Sequence, residues 1–290
     1  MTRCVYTVDG SHRIRDHIPT RIEETMDLNL TEKTAVVTGG NGGIGLAIAE
    51  VLAQGGARVV VGARTRTVEL ADLQRRHDVR FVAVDLAAPG GADHLITEAA
   101  GPAGGLDIVV NNVGGSEPAP SSIDFDDGQW QRIFDVTLFS AVRTVRAAVP
   151  HLRGRPGAAI VTIGSVNAKV PSGPIAPYCA AKAALSNVSK AWAEELAPEG
   201  IRVNTISPGP VRTPMWTGTG GFAHGIAAQA QTTVADVMDR VLPAQMAIST
   251  GRISEPEEIA ALVAFLASDR AANITGSDYL VDGGMVKTVA

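Results

Sequence analysis

The chain has 290 residues, 45% hydrophobic and 19% charged, with a formal net charge of 25 − 30 = −5. That length suits one α/β domain able to bury about three quarters of its unfolded surface without a disulfide or metal staple. The composition excludes a disordered or collagen-like chain, and a mildly acidic balance with no Lys/Arg run offers nothing to a nucleic-acid backbone.

The first 25 residues carry four arginines and four acids but no apolar stretch, so they resemble neither a secretory signal nor a transit peptide. Residues 1–27 read as an N-terminal extension or a start-site artefact, and residues 28–290 as the domain. Two cysteines, Cys4 and Cys179, give no zinc or disulfide spacing and fit a reducing compartment. No run of about 18 apolar residues suggests a membrane span. The expectation is a soluble, cytoplasmic protein with no metal, membrane or nucleic-acid partner.

Strand candidates occur in order at Thr34–Thr38, Arg58–Ala63, Arg80–Asp85, Asp107–Asn112, Ala159–Ser165, Ile201–Ser207 and Asp278–Val281. Most are near-continuous apolar runs, as in parallel strands buried on both faces. Between the first two, Ile44, Ile48, Val51 and Leu52 repeat at helical spacing up to Gly55-Gly56. Further helices fit near 91–100, 126–150, 177–198 and 256–268, the last opening on acids and Pro256. The alternation predicts a single-domain, doubly wound (Rossmann) parallel sheet with helices on both faces. Residues 214–245 break the pattern and read as an irregular substrate loop carrying Met215, Trp216, Phe222, Met238 and Leu242.

The first strand runs into Thr38-Gly39-Gly40-Asn41-Gly42-Gly43-Ile44-Gly45. Glycines here allow a tight turn and bring the backbone close to a pyrophosphate at a helix N-terminus. The turn satisfies both G-x-G-x-x-G and T-G-x-x-x-G-x-G, and a merely tight strand-to-helix turn would use glycines as well. The second strand ends Ala63-Arg64-Thr65 with no acid before Glu69. An acid there would bind a ribose hydroxyl, whereas arginine suits the extra phosphate of NADP, which favours NADP with NAD as the alternative.

Tyr178 and Lys182 stand four apart in a helical stretch, which places both on one face, and Ser165 ends a strand at the ligand-binding edge of the sheet. A phenol with pKa about 10 is a poor base, and an ammonium about 5 Å away would supply roughly 3 kcal/mol towards lowering it. Such a pair suits acid–base work on a carbonyl or alcohol. Cys179 reads as a small buried hydrophobe.

Thr38–Gly45, Asn111-Asn112-Val113-Gly114, Ser165, Tyr178/Lys182 and Pro208-Gly209 together resemble the motifs of the short-chain dehydrogenase/reductase family. Gly251-Arg252, Pro256–Ala260 and Asp282-Gly283-Gly284 resemble its C-terminal signatures, and only 108 residues come after Lys182, which fits the family's shorter, single-domain form. The resemblance implies that Gly39, Asn41 and Ile44 contact the pyrophosphate side of the cofactor and Arg64 its adenosine phosphate. It implies that Asp85 and Leu86 flank the adenine and that Asn112 and Gly114 line the adenine-ribose side. Pro208, Gly209, Val211 and Thr213 would hold the nicotinamide. Tyr178 would exchange the proton, Ser165 orient the carbonyl, and Lys182 bind the nicotinamide ribose while depressing the tyrosine pKa. The same resemblance implies a homotetramer and a small carbonyl or alcohol substrate.

Two residues depart from the family pattern. Val113 replaces an alanine, and Thr137 stands where the family has an asparagine thought to hold a water of the proton relay. The leading reading is an NADP(H)-dependent interconversion of a ketone and a secondary alcohol. A non-catalytic nucleotide sensor or scaffold is one alternative; the other is a reductase of 3-oxoacyl chains on a carrier protein, which needs a basic docking patch that the sequence leaves open for Arg132, Arg143 and Arg146.

Overall fold

A computed structural model describes residues 28–102 and 105–288; the expected 1–27 extension lies outside them. Seven strands form one parallel sheet: β1 (Thr34–Thr38), β2 (Arg58–Ala63), β3 (Val79–Ala83), β4 (Ile108–Asn111), β5 (Ala159–Ile163), β6 (Arg202–Pro208) and β7 (Asp278–Val281). Their spatial order is β3-β2-β1-β4-β5-β6-β7. The chain therefore winds outward in one direction from β1 and in the other from β4. This reversal between β1 and β4 marks, at their carboxyl ends, the place where open α/β sheets form a ligand-binding crevice.

The apolar runs explain the layers. In β1, Val37 faces one core with Ile48 and Leu52 of α1 (Gly43–Gln54) and Ile259 and Val263 of α11 (Pro256–Ala267). Val36, its neighbour, faces the other core with Leu95 and Ile96 of α3 (Gly91–Ala100), Val145 of α5 (Ser140–Leu152) and Ala193 of α6 (Ala176–Leu196). Alternate side chains of one strand thus feed two cores, which is why these strands read as continuous apolar runs.

The structure adds or changes four elements. α2 (Val68–Arg76) fills the stretch left unassigned between β2 and β3, with Thr67 capping it through the Leu70 N–H and Leu70 and Leu73 buried. The helix predicted over 126–150 is interrupted: α4 (Asp127–Phe134) passes through a π-helical turn at Asp135–Phe139 before α5. Ser140 Oγ donates to the Val136 carbonyl at 2.7 Å and Thr144 Oγ1 to that of Ser140 at 2.8 Å. Hydroxyls that bond back to the preceding turn compete with the helical ladder, and a wider turn accommodates them. The strand predicted to reach Ser165 stops at Ile163, so Ser165 instead caps a short 3₁₀ turn, Val166–Ala168.

The fourth change is the 214–245 segment, which is helical rather than irregular. It comprises α7 (Pro214–Thr217), α8 (Phe222–Ala230), α9 (Val234–Asp236), a π-helical turn at Val237–Val241, and α10 (Leu242–Gln245). Ala223, Ala227, Val237, Met238 and Leu242 build a small core of its own with Ile248 and Ile253. Short helices with few apolar positions each carry weak periodicity, and this shared core holds them in place.

Candidate active site

The first wall of the crevice is the glycine turn between β1 and α1. Gly39 adopts φ +67°, a left-handed conformation that suits glycine. A methyl at Gly45 would stand 2.3 Å from the Gly39 carbonyl oxygen and 2.5 Å from Asn112 Nδ2, so only glycine lets the turn close on the helix. Asn112 Nδ2 donates to the carbonyls of Thr38 at 2.9 Å and Gly39 at 3.2 Å. Thr38 Oγ1 in turn donates to the Val110 carbonyl and accepts from the Asn112 and Val113 N–H groups. The turn is thus laced to the end of β4, with Thr38 in a part that the motif reading did not assign.

Asn41 Nδ2 donates to the Thr65 carbonyl at 3.0 Å, and Thr67 Oγ1 donates to the Asn41 carbonyl at 2.7 Å. These bonds bring the loop carrying Arg64 against the turn. Arg64 is exposed and has no ion pair or hydrogen bond among the described residues, while Ile44 stays partly buried against the core. Asp85 is exposed, with one carboxyl oxygen accepting from the Ala87 N–H. Leu86 is 3% exposed, with its side chain in the core on the Val36 side of the sheet.

The opposite wall comes from β6 and the loop after it. Pro208 ends β6, and the Gly209 N–H donates to the Val281 carbonyl at 3.0 Å. Val211 is buried and bridges to Ser254, and Thr213 lies against the glycine turn, where a methyl on Gly43 would stand 3.2 Å from Thr213 Cγ2. Residues 43 and 213, remote in sequence, thus form one rim.

Between the walls lies the predicted triad. Lys182 is 3% exposed and donates from Nζ to the Ile163 carbonyl at 2.6 Å. Its Nζ lies 5.7 Å from the centroid of the Tyr178 ring. A methyl at Gly114 would be 3.3 Å from that Nζ and 3.7 Å from Thr137 Cγ2, which places Gly114, Lys182 and Thr137 together. Ser165 is buried, and its hydroxyl interacts with the Tyr178 phenol. Cys179 is buried and shares its sulfur with the backbone of Ser172.

The electrostatics correct the sequence expectation. Burial pushes the Tyr178 phenol up from its ordinary value, with the Ser165 hydrogen bond pulling the other way and the Cys179 thiol adding to the rise. Burial also lowers Lys182 from 10.5 to about 8. The expected depression came from the attraction of a charged lysine alone. In the protein both groups are desolvated, and desolvation disfavours phenolate and ammonium alike.

Thr137 is fully buried, and its hydroxyl donates to the Gly115 carbonyl and accepts from the Gly115 N–H, both at 3.2 Å. Its one proton is therefore committed to backbone and holds the loop after β4 onto the π-helical turn. Two of the three arginines that a carrier-protein docking patch would draw on are held in ion pairs. Arg132 pairs with Glu117 at 2.9 Å, and Arg143 with Asp135 at 2.8 Å.

A family model described as enoyl-(acyl carrier protein) reductase matches residues 39–286. D-beta-hydroxybutyrate dehydrogenase of Rhizobium meliloti is 36% identical over 87% of this chain and 98% of its own length. The chain belongs to the short-chain dehydrogenase/reductase family. Among its relatives in that family, cis-4-hydroxycyclohexanecarboxylate dehydrogenase of Sinomonas cyclohexanicum is 33% identical over 87% of this chain and 96% of that one. The solved L-sorbose reductase of Gluconobacter frateurii, complexed with NADPH and L-sorbose, superposes with a TM-score of 0.84 at 36% identity. That likeness covers 91% of this chain and all of the reductase. As a family member the chain is a dehydrogenase/reductase with the single-domain α/β fold. No helix among the described residues is long and apolar enough to cross a membrane.

Proposed function

We propose that this short-chain dehydrogenase/reductase interconverts a ketone and a secondary alcohol by hydride transfer, using NADP(H) and Tyr178 as the proton-exchanging group. The observation that carries the reading is the meeting of Ser165, Tyr178 and Lys182 at the carboxyl edge of the sheet, beside the glycine turn. The tight packing of Gly39, Gly45 and Asn112 closes the turn on the helix, while Gly42 at the helix N-terminus faces open space, which suits a pyrophosphate. When bound, the nicotinamide supplies or accepts the hydride. The neutral phenol of Tyr178 is the form that donates a proton to a carbonyl oxygen, and its raised pKa keeps it in that form at neutral pH. Ser165 orients that oxygen. Lys182, with one of its three protons on Ile163, has donors left for ribose hydroxyls. Thr137 keeps the Gly114–Gly115 loop seated against Lys182.

The substrate side is partly apolar. Met238 and Leu242 are sealed in the cap's own core and cannot line a pocket, which corrects their place in the sequence reading. Met215 is half exposed, and the rings of Trp216 and Phe222 meet edge to face at 5.5 Å. These three support a largely hydrophobic ketone or alcohol. Turnover of a ketone panel with NADPH tests the reading, and a chain that binds cofactor but reduces none of them would be the sensor or scaffold instead. Reduction confined to small charged oxoacids would overturn the hydrophobic assignment.

The cofactor preference has its own test. Arg64 carries no competing ion pair among the described residues, and a charge-assisted bond to the adenosine phosphate contributes about 1.5–3 kcal/mol. Arg64→Ala should therefore weaken NADPH by roughly 10- to 150-fold and leave NADH little changed in fluorescence titration. Equal losses for both cofactors would sink the assignment. A homotetramer is proposed on the family resemblance, and sedimentation would measure it.

A further inference from the structure

A serine hydroxyl has one proton and two lone pairs, so where the proton rests decides what the serine can do. Ser165 caps the 3₁₀ turn after β5, and its Oγ accepts from the Asn167 N–H at 3.1 Å. That bond fixes the oxygen and leaves the proton to rotate. The proton has a partner in the Asn167 side-chain carbonyl, with Oγ donating to Oδ1 at 3.4 Å. The Asn167 amide cannot turn away, because its Nδ2 donates to the Val170 carbonyl at 3.1 Å. Only the amide nitrogen can make that donation, so the amide oxygen is the end that faces Ser165.

We propose that Asn167 is a positioning residue: its side-chain carbonyl is the resting acceptor of the Ser165 proton and releases it to the substrate oxygen. This rests on the ketone–alcohol reading above. A contact of 3.4 Å is long for a hydroxyl bond, so the proton is held in direction but loosely. Without Oδ1 the Tyr178 oxygen would be the one side-chain acceptor left to that proton among the described residues. Serine and tyrosine would then satisfy each other, and a substrate would have to break that pair before either could serve it. With Asn167 in place, the serine proton has a second acceptor and is not committed to the tyrosine. A carbonyl oxygen entering beside Tyr178 offers a shorter, stronger acceptor, and the serine proton swings to it. No motif pointed to Asn167, although an asparagine two residues after a serine is a turn signal.

The test is a double-mutant cycle on the full chain at saturating NADPH, with a ketone that the wild type reduces. Asn167→Ala should lower kcat by about three- to tenfold, the worth of one neutral hydrogen bond, with the KM for NADPH unchanged. Ser165→Ala should cost far more, and adding Asn167→Ala to it should cost nothing further, because the asparagine acts only through the serine. Asn167→Asp, which keeps the side-chain volume, serves should the alanine variant fail to fold. It loses the donor to Val170 and gives Ser165 an anionic acceptor that grips the proton, so kcat should fall again at constant KM for NADPH. An asparagine variant at wild-type kcat, or an equal loss with and without Ser165, overturns the proposal. A wild type that reduces no ketone overturns the functional reading beneath it, and the two failures are told apart by which protein is inactive.

Discussion

Tyr178→Phe should lower turnover of the best ketone by about 10²- to 10⁴-fold, the range over which a positioned acid or base accelerates a reaction. The substitution removes one oxygen and leaves the ring, so the packing beside Lys182 and the glycine cradle stays intact. NADPH affinity should therefore change little, and the loss should fall on kcat. The pH profile supplies a second check. Burial raises the phenol's pKa, so in the direction of ketone reduction its proton is available across the neutral range. Reduction should hold up to alkaline pH, while alcohol oxidation, which needs the phenolate, should rise as pH rises. Retention of most activity by Tyr178→Phe would end the assignment of this residue as the proton donor.

Lys182→Met should have opposite effects on activity and stability. The ammonium is 3% exposed, has no carboxylate partner among the described residues, and burial lowers its pKa from 10.5 to about 8. A pKa lowered by folding means that, between those two values, the unfolded chain holds a proton that the folded chain does not. Below pH 8 the folded protein carries the full cost of a buried charge, and this cost vanishes as pH rises past 10.5. At about 1.4 kcal/mol per pKa unit the cost is of order 3 kcal/mol, offset by about 1 kcal/mol for the bond to Ile163. An apolar side chain of similar length should thus stabilise the protein by about 2 kcal/mol at pH 7, with the gain shrinking towards pH 10.5. Turnover should be lost in the same variant. Urea unfolding at pH 7 and pH 10 measures the first effect and the ketone assay the second. A destabilised variant at pH 7 would show that the hydrogen bond, not the charge, dominates the lysine's contribution. A gain in stability would mark Lys182, a buried lysine without a carboxylate partner among the described residues, as a position kept for chemistry.

The split between Arg64 and Lys182 shows how differently two cations can be read. The place of Arg64 was legible because it depends on chain neighbours: it follows β2 beside the glycine turn, and it stays exposed in the fold. The charge state of Lys182 was not legible, because it depends on everything folded around it. The same distinction explains the helix over 126–150. Its apolar spacing was visible, but the π-helical turn depends on Ser140 and Thr144 bonding back to their own helix, and hydroxyls in helices do so only sometimes. The 214–245 segment was misjudged for a related reason. Its helices are too short for a clear period, and they pack into a shared core that includes Ile248 and Ile253 from the following loop.

By itself, the sequence determined the alternation of strand and helix, the glycine turn, and the spacing of Tyr178 and Lys182 on one helix face. These are short-range consequences of backbone sterics and side-chain period, and a linear string carries them. The tertiary structure alone decided that Thr213 closes on Gly43, that Thr137 is bound to Gly115, and that Asn167 faces Ser165 with its oxygen. It also reversed the expected direction of the Tyr178 pKa, because desolvation is set by the residues a fold brings around a group, and these come from across the whole chain.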